Sequence, residues 1–398
     1  MIFNLPFIIF SLVFATSACL VFIDRRKKRD LPAIPAASFL VPCFNNVRHV
    51  GQALASIYET AGSNADVVVV DDCSFDGSRE LLRQLQRKYR FRLVRNRQNI
   101  GKAASLNAHV HFTRHGIVAF VDADVIVNKK SLVDAFARLR SDEVGAVSCP
   151  YAPQNKGIIP LMQHIEYNML AFIQGAYNLF SAISLWGGFI VIKKKAFLEA
   201  GGFSLNAITE DMDLAFKLIE KGWKVEQSFI PVRTYVPAEV KGWYRQKIRW
   251  SSGGFQCFCK YYKIWLRNPL HLFFVFSYSV LLAAAVFETG RDVFLWDQIF
   301  DYFISINRIE TVFVSLKLTN LKYGFDLLKD MLFFRLALTL ISLPFVMPLI
   351  SGFRKVYLCF MVIPYSIFYL PAFSAVFTLG AVHFMRRRRT LKATVRAW

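Results

Sequence analysis

The chain has 398 residues, with 49 Lys and Arg against 28 Asp and Glu, a formal net charge of +21, and 55% hydrophobic residues. A soluble nucleic-acid binder rarely combines that charge with that apolar content, so no nucleic acid is expected as a partner; an integral membrane protein with a basic cytoplasmic face combines both. Positive charge beside a bilayer attracts anionic lipid, which makes membrane lipid and a phosphate-bearing substrate the partners this composition requires.

In chain order, the run from Ile2 to Ile23 is long enough to cross a bilayer core and is followed at once by Arg25-Arg26-Lys27-Lys28-Arg29. Residues 1–23 therefore read as a transmembrane helix with its N-terminus outside. A cleaved signal peptide is the competing reading, but the basic region that should precede the apolar run is missing. Residues 24–37, with Pro32 and Pro35, form a basic linker.

Strand and helix patterns then alternate over residues 38–242. Ser38 to Val41 opens the series, followed by a strand at Val67 to Val70, a helix from Ser78 to Lys88 and a strand at Phe91 to Val94. A helix from Lys102 and a strand at Ile117 to Val121 continue it. A helical stretch from Gly157 to Leu179, a strand from Leu185 to Ile192 and a helix from Asp211 to Lys221, stopped at Gly222, complete it. This βαβ rhythm predicts an α/β domain with a mostly parallel, Rossmann-like sheet, in which ligands gather at the carboxyl ends of strands.

Residues 243–268 are aromatic, basic and amphipathic, the pattern of interfacial helices. Residues 269–385 form a C-terminal transmembrane region with apolar runs at His271 to Phe287, Met331 to Ile350 and Val356 to Phe384. Three spans would place the basic tail, residues 386–398, outside, against the positive-inside rule. Either the last run, which contains Pro364 and Pro371, is re-entrant, or Val293 to Leu321 crosses, or the C-terminus faces outward. The seven cysteines show no disulfide or zinc framework and read as reduced thiols. His109, His111 and His115 have no carboxylate or cysteine at ligand spacing beside them.

The polar turns carry the chemistry. Val41-Pro42-Cys43-Phe44-Asn45-Asn46 ends the first strand with a ring and two amides, suited to a nucleobase, or to a plain strand-to-helix turn. Asp71-Asp72 ends the second strand, where a substrate contact and a helix cap are both open. Asn99-Ile100-Gly101-Lys102 places a glycine and a cation at a helix start, where backbone N–H groups favour phosphate. Asp122 and Asp124 project to the same side of an extended segment and suit Mg²⁺ or Mn²⁺. Glu210 and Asp211 open a helix, so Asp211 is a candidate base and acidic capping is the plainer alternative. Gln246, Arg249 and Trp250 share one helical face, with the indole offering a platform to a sugar ring or to the membrane interface.

Asp122-Ala123-Asp124, Thr209-Glu210-Asp211 and Gln246-x-x-Arg249-Trp250, in that order, resemble the family 2 glycosyltransferases. More narrowly they resemble the membrane-embedded processive synthases of cellulose, chitin, hyaluronan and poly-N-acetylglucosamine. Asn99 to Asn107, Gln163 to Tyr167 and Lys241 to Gln246 look most like the bacterial poly-N-acetylglucosamine synthases. The resemblance implies a GT-A fold, an inverting metal-dependent transfer from a UDP-sugar to a β-linked polysaccharide or lipid-linked acceptor, and a cytoplasmic catalytic domain at a bacterial plasma membrane.

It also implies roles. Phe44, Asn45 and Asp72 would hold the nucleoside, Lys102 and Arg249 the diphosphate, and Asp124 with Asp122 the metal. Asp211 would be the base beside Glu210, while Gln246, Trp250 and the Trp186-Gly187-Gly188 turn would line the acceptor site. Two positions depart from the pattern: Asn46 stands where members often have Glu, and Trp186-Gly187 where they often have Ser-Gly. Single transfer to a polyprenyl phosphate or glycolipid is the second enzymatic reading, and a non-catalytic membrane adaptor the third. The oligomeric state is left open.

Overall fold

The computed structural model describes residues 16–24, 34–62, 65–179, 181, 184–267, 365 and 369–387. The chain divides into two units, Ser17–Ile264 with Gly380–Trp398, and Met1–Thr16 with Trp265–Leu379. The first unit contains α1 (residues 16–24), then β1 (Ser38–Cys43), α2 (Val50–Ala61), β2 (Asp66–Asp71), α3 (Ser78–Lys88), β3 (Phe91–Arg95), α4 (Lys102–His109), β4 (Ile117–Val121), β5 (Val125–Ile126) and α5 (Lys129–Leu139). It continues through β6 (Val144–Ser148), β7 (Tyr151–Pro153), α6 (Ile158–Ala176), β8 (Phe189–Lys193), α7 (Lys194–Glu199), α8 (Glu210–Glu220), β9 (Lys224–Gln227), β10 (Val232–Thr234) and α9 (Val240–Lys260). Beyond these lie α10 (Tyr262–Arg267) and α11 (Leu370–Arg387).

Seven strands form one sheet in the order β3-β2-β1-β4-β8-β6-β9, parallel except that β8 runs antiparallel to both β4 and β6. Successive side chains on a strand point to opposite faces, so near-continuous apolar strands build two cores. Phe39, Val41, Val67, Val69, Ala119 and Val121 pack on one face with Leu54, Leu132 and Phe136. Leu40, Val68, Val70, Val118 and Phe120 pack on the other with Leu106, Phe197 and Leu214. A smaller sheet, β5-β10-β7, lies beyond the end of β4.

The strands and helices read from the sequence for the α/β domain are present, with instructive differences, whereas α2, α5, α7, β5, β6, β7, β9 and β10 lie outside that reading. The expected strand from Leu185 starts only at Phe189, because Trp186-Gly187-Gly188 is a turn whose Gly188 carbonyl accepts the Asp122 N–H at 2.9 Å. The amphipathic helix expected from Trp243 begins at Val240 and runs unbroken for 21 residues. It buries Trp243, Lys247, Ser251 and Cys257, and Gly253 leaves the space in which Thr209, at the start of α8, sits. The helical stretch from Gly157 becomes α6, closed by a 3-10 turn at Tyr177–Leu179.

The N-terminal helix is tied to this unit by buried charge. Arg138 of α5 meets Asp134 at 2.9 Å, Asp24 at 3.0 Å and Glu226 at 3.1 Å, and Asn178 Nδ2 donates to Asp24 at 3.2 Å. Among the described residues no helix is long and apolar enough to cross a membrane. The apolar runs at His271 to Phe287 and Met331 to Ile350 lie outside the described residues, as do most of Ile2 to Ile23, the first part of Val356 to Phe384, and residues 25–33 and 388–398.

Candidate active site

The turns after β1 and β2 are stitched together by their backbones. Asn45, in left-handed conformation at φ 49°, donates its N–H to Ser74 Oγ at 3.1 Å, and its side-chain oxygen accepts the Phe75 N–H at 3.0 Å. Asn46 N–H donates to Ser78 Oγ and Val47 N–H to Asp76 Oδ2. The stitching sets Phe44 edge-on to Phe75, centroids 5.9 Å apart, and leaves the Phe75 ring 82% exposed. Phe75 was not singled out by sequence; its signal is an aromatic residue inside a polar turn.

Asp72 is fully buried. Its oxygens accept from Asn96 Nδ2 at 2.7 Å, Ile100 N–H at 3.0 Å and Gly101 N–H at 2.8 Å. As placed, this carboxylate shapes the turn that starts α4, and Gly101 takes φ 86°, which a side chain would strain.

Gly187 and Gly188 form the hub of the site. Lys102 Nζ lies 2.6 Å from Asp122 Oδ1 and 3.4 Å from Glu210 Oε1, and donates to the Gly187 carbonyl at 3.1 Å. The ammonium expected at the diphosphate is thus bound by the site's own oxygens, because two carboxylates converge on it. Burial alone would lower it, but Asp122 and Glu210 prevail and hold it well above the ordinary lysine range. A Cβ on Gly187 would lie 2.5 Å from Asp211 Oδ2, so only glycine leaves that carboxylate its place.

Asp211 sits in the first turn of α8, with Met212 N–H donating to its Oδ1 at 2.8 Å. Burial, then Glu210, push it up to about 6, while Lys102 pulls the other way. Burial also works against Glu210, but Lys102 and Arg249 prevail and hold it below the ordinary carboxylate range. At a helix start the dipole favours the ionised carboxylate, and here desolvation and the neighbouring charge outweigh it. Arg249 is exposed and makes no ion pair among the described residues, yet its charge acts on Asp122, Glu210 and Asp211.

With Asp122 paired to Lys102, Asp124 is left without an ion pair among the described residues. Burial, then Asp122, push it up to about 7, while Lys102 pulls the other way. Among the described residues no group of three or more His, Cys, Asp or Glu could hold a metal ion. Mg²⁺ and Mn²⁺ suit one or two carboxylates with substrate phosphate and water completing the shell, so the donor set fits a hard divalent ion shared with a diphosphate.

An aromatic wall faces this cluster. Trp186 is buried, its Nε1–H donates to Gln227 Oε1 at 2.7 Å, and its ring meets Tyr151 and Tyr167 edge-on at 4.9 Å and 5.8 Å. The indole therefore backs the site, and Gly187 is what the turn presents to it. Trp250 is half-buried, 5.9 Å from Tyr167, with Lys247 Nζ 4.1 Å from its ring centroid. Lys247, itself fully buried, pairs with Glu166 at 2.7 Å. Gln246 Oε1 lies 3.5 Å from the Tyr167 hydroxyl. Sequence reasoning gave no role to Tyr151 or Lys247, nor to Glu166 and Tyr167 within the Gln163 to Tyr167 phrase; the trace of Glu166 and Lys247 is a charge on the buried side of α6 and of α9.

A mostly parallel sheet with one antiparallel strand, carrying its acidic residues on the turn after β4 and at the start of α8, is a Rossmann-like α/β fold of the GT-A type. Residues 38–201 match the model of the family Glycosyl transferase family 2, and this stretch is a family 2 glycosyltransferase domain. The chain is 25% identical over 237 residues to a poly-beta-1,6-N-acetyl-D-glucosamine synthase of Staphylococcus aureus strain COL, covering 58% of each protein. It is 26% identical over 234 residues to the enzyme of the same name from Staphylococcus epidermidis, covering 57% of this chain and 56% of that one. The match thus spans less than two thirds of these curated relatives. A mannosyltransferase from Pyrobaculum calidifontis, solved with GDP-Man and Mn²⁺, shares the fold with a TM-score of 0.55 and 17% identity, covering 96% of this chain and 99% of that one.

Proposed function

We propose that the chain is a membrane-bound, inverting β-glycosyltransferase that moves N-acetylglucosamine from its UDP donor to a growing polysaccharide at the cytoplasmic face and exports the product. The observation that carries the transfer chemistry is Asp211, held against Gly187 beside Glu210 and the Lys102–Asp122 pair. The names of the staphylococcal relatives support the sugar and the polymeric product.

Phe44 and Phe75 flank the turn that would take the nucleobase, and Asp72 acts through the Gly101 turn it organises. Arg249 is the cation available to the departing diphosphate. Lys102 fixes Asp122 and Glu210 so that Asp124 and Asp211 keep distinct roles. Asp124, with Asp122 behind it, would hold Mg²⁺ or Mn²⁺, whose chemistry there is to offset the charge on the leaving group. With Trp250 and Gln246 beneath the acceptor sugar, Asp211 takes the proton of the acceptor hydroxyl. That oxygen bonds to the anomeric carbon as the bond to the diphosphate breaks, and configuration inverts.

The test is turnover of labelled UDP-sugars by the full chain in detergent with Mg²⁺ or Mn²⁺, followed by mass analysis of the product. Long chains of N-acetylglucosamine are expected. A product extractable as a one-sugar lipid would replace polymerisation by single transfer, and activity that survives both D124A and D211A would sink the enzymatic reading.

A further inference from the structure

One polar group on the aromatic wall remains without a task. Tyr151 opens β7, where it pairs with Val232 of β10, and its side chain is half-buried. Gly188 N–H donates to its phenolic oxygen at 2.5 Å, which uses one lone pair. The phenol's own proton has no acceptor among the described residues. Trp186 at 4.9 Å and Tyr167 at 5.9 Å, both edge-on, hold the ring so that the hydroxyl cannot swing away. A Cβ on Gly188 would come within 2.9 Å of the phenolic oxygen, so the glycine is what admits it.

The surroundings say what the hydroxyl faces. Gly188, which donates to it, accepts the Asp122 N–H at 2.9 Å, and the adjoining Gly187 lies against Asp211 Oδ2, so beside burial the charges of Asp122, Asp211 and Asp124 act on it. On the transfer reading Asp124 marks the diphosphate side of the reacting carbon and Asp211 the acceptor side, so a group held beside the turn between them borders the ring of the sugar. A neutral phenol among carboxylates serves as a donor, and a fixed donor selects substrates that bring it an acceptor.

We propose that Tyr151 is a specificity-determining residue, whose hydroxyl donates a hydrogen bond to one oxygen substituent on the sugar being transferred. The proposal rests on the glycosyl-transfer reading above. It distinguishes donors by the presence of that oxygen, which the diphosphate and nucleoside contacts do not.

The experiment measures kcat/KM for wild type and Tyr151→Phe in the full chain, using the best UDP-sugar donor and analogues that each lack one ring oxygen substituent. Tyr151→Phe keeps the ring packing and is expected to lose about tenfold on the parent donor. One analogue is expected to lose about the same with wild type and nothing further with Tyr151→Phe. Unchanged kcat/KM in Tyr151→Phe, or penalties that multiply for every analogue, would overturn the proposal, since loss of the Gly188 contact alone affects all donors equally. Should Tyr151→Phe not fold, the wild-type series decides: indifference to every single oxygen overturns it, sensitivity to one supports it. No turnover of any UDP-sugar by wild type overturns the transfer reading, and this proposal with it.

Discussion

As the proposed base, Asp211 combines two demands that oppose each other: it would have to be ionised to take a proton, yet burial and Glu210 raise it from the ordinary 3.8 to about 6. A base with that value titrates within the working range, so kcat/KM is expected to fall about tenfold per pH unit below about 6 in a pH–rate profile. The same shift has a stability cost of definite sign. The folded protein binds this proton more tightly than the unfolded chain, so the contribution of Asp211 to stability is lost as pH rises from the ordinary value through about 6. D211N is expected to lower the rate of sugar transfer by about 10²- to 10⁴-fold while leaving the melting temperature unchanged or raised. Gly187→Ala tests the packing beside it. The added Cβ, 2.5 Å from Asp211 Oδ2, displaces the carboxylate, so kcat is expected to collapse with donor KM little changed.

At the scale of elements, α6 and α9 are joined by a buried ion pair. Glu166 on α6 and Lys247 on α9 meet at 2.7 Å with neither in contact with water, and the Lys247 ammonium lies 4.9 Å from the Tyr167 ring centroid and 4.1 Å from that of Trp250. Burial holds the Lys247 ammonium below the ordinary lysine range, with the Glu166 charge opposing that. Lys247→Met is expected to destabilise the protein by about 3–5 kcal/mol, because it strands a buried carboxylate. Thermal or denaturant melts of the double variant Lys247→Met with Glu166→Leu should show recovery of much of that loss. Equal destabilisation in the two would mean that the pair contributes through packing alone. The start of α8 was legible from Thr209-Glu210-Asp211, and α3 from its amphipathic period, because caps and periodicity are local. That Lys247 would turn inward was not legible: its partner lies on another helix, 81 residues away in the chain.

For the whole molecule, the net charge of +21 and the apolar runs at either end support a membrane-bound protein with its catalytic domain on the cytoplasmic side. On that reading the chain is expected to stay with membranes through high-salt washing and to come off only in detergent, as fractionation followed by immunoblotting would show. Release by salt alone would reduce the attachment to electrostatics. The sequence by itself determined the alternation of elements, the strand ends at which Asp72 and Asp122-Ala123-Asp124 stand, and the order of motifs that marks a family 2 transferase domain. Period, capping and turn chemistry are properties of neighbouring residues, so they survive in a linear reading. Only the tertiary structure decided that Lys102 binds Asp122 and Glu210, that Trp186 backs the site rather than facing it, and that the Tyr151 hydroxyl accepts from Gly188 with no acceptor for its own proton among the described residues. Those outcomes depend on distances between groups far apart in the chain, where burial and charge set each residue's state and composition has no voice.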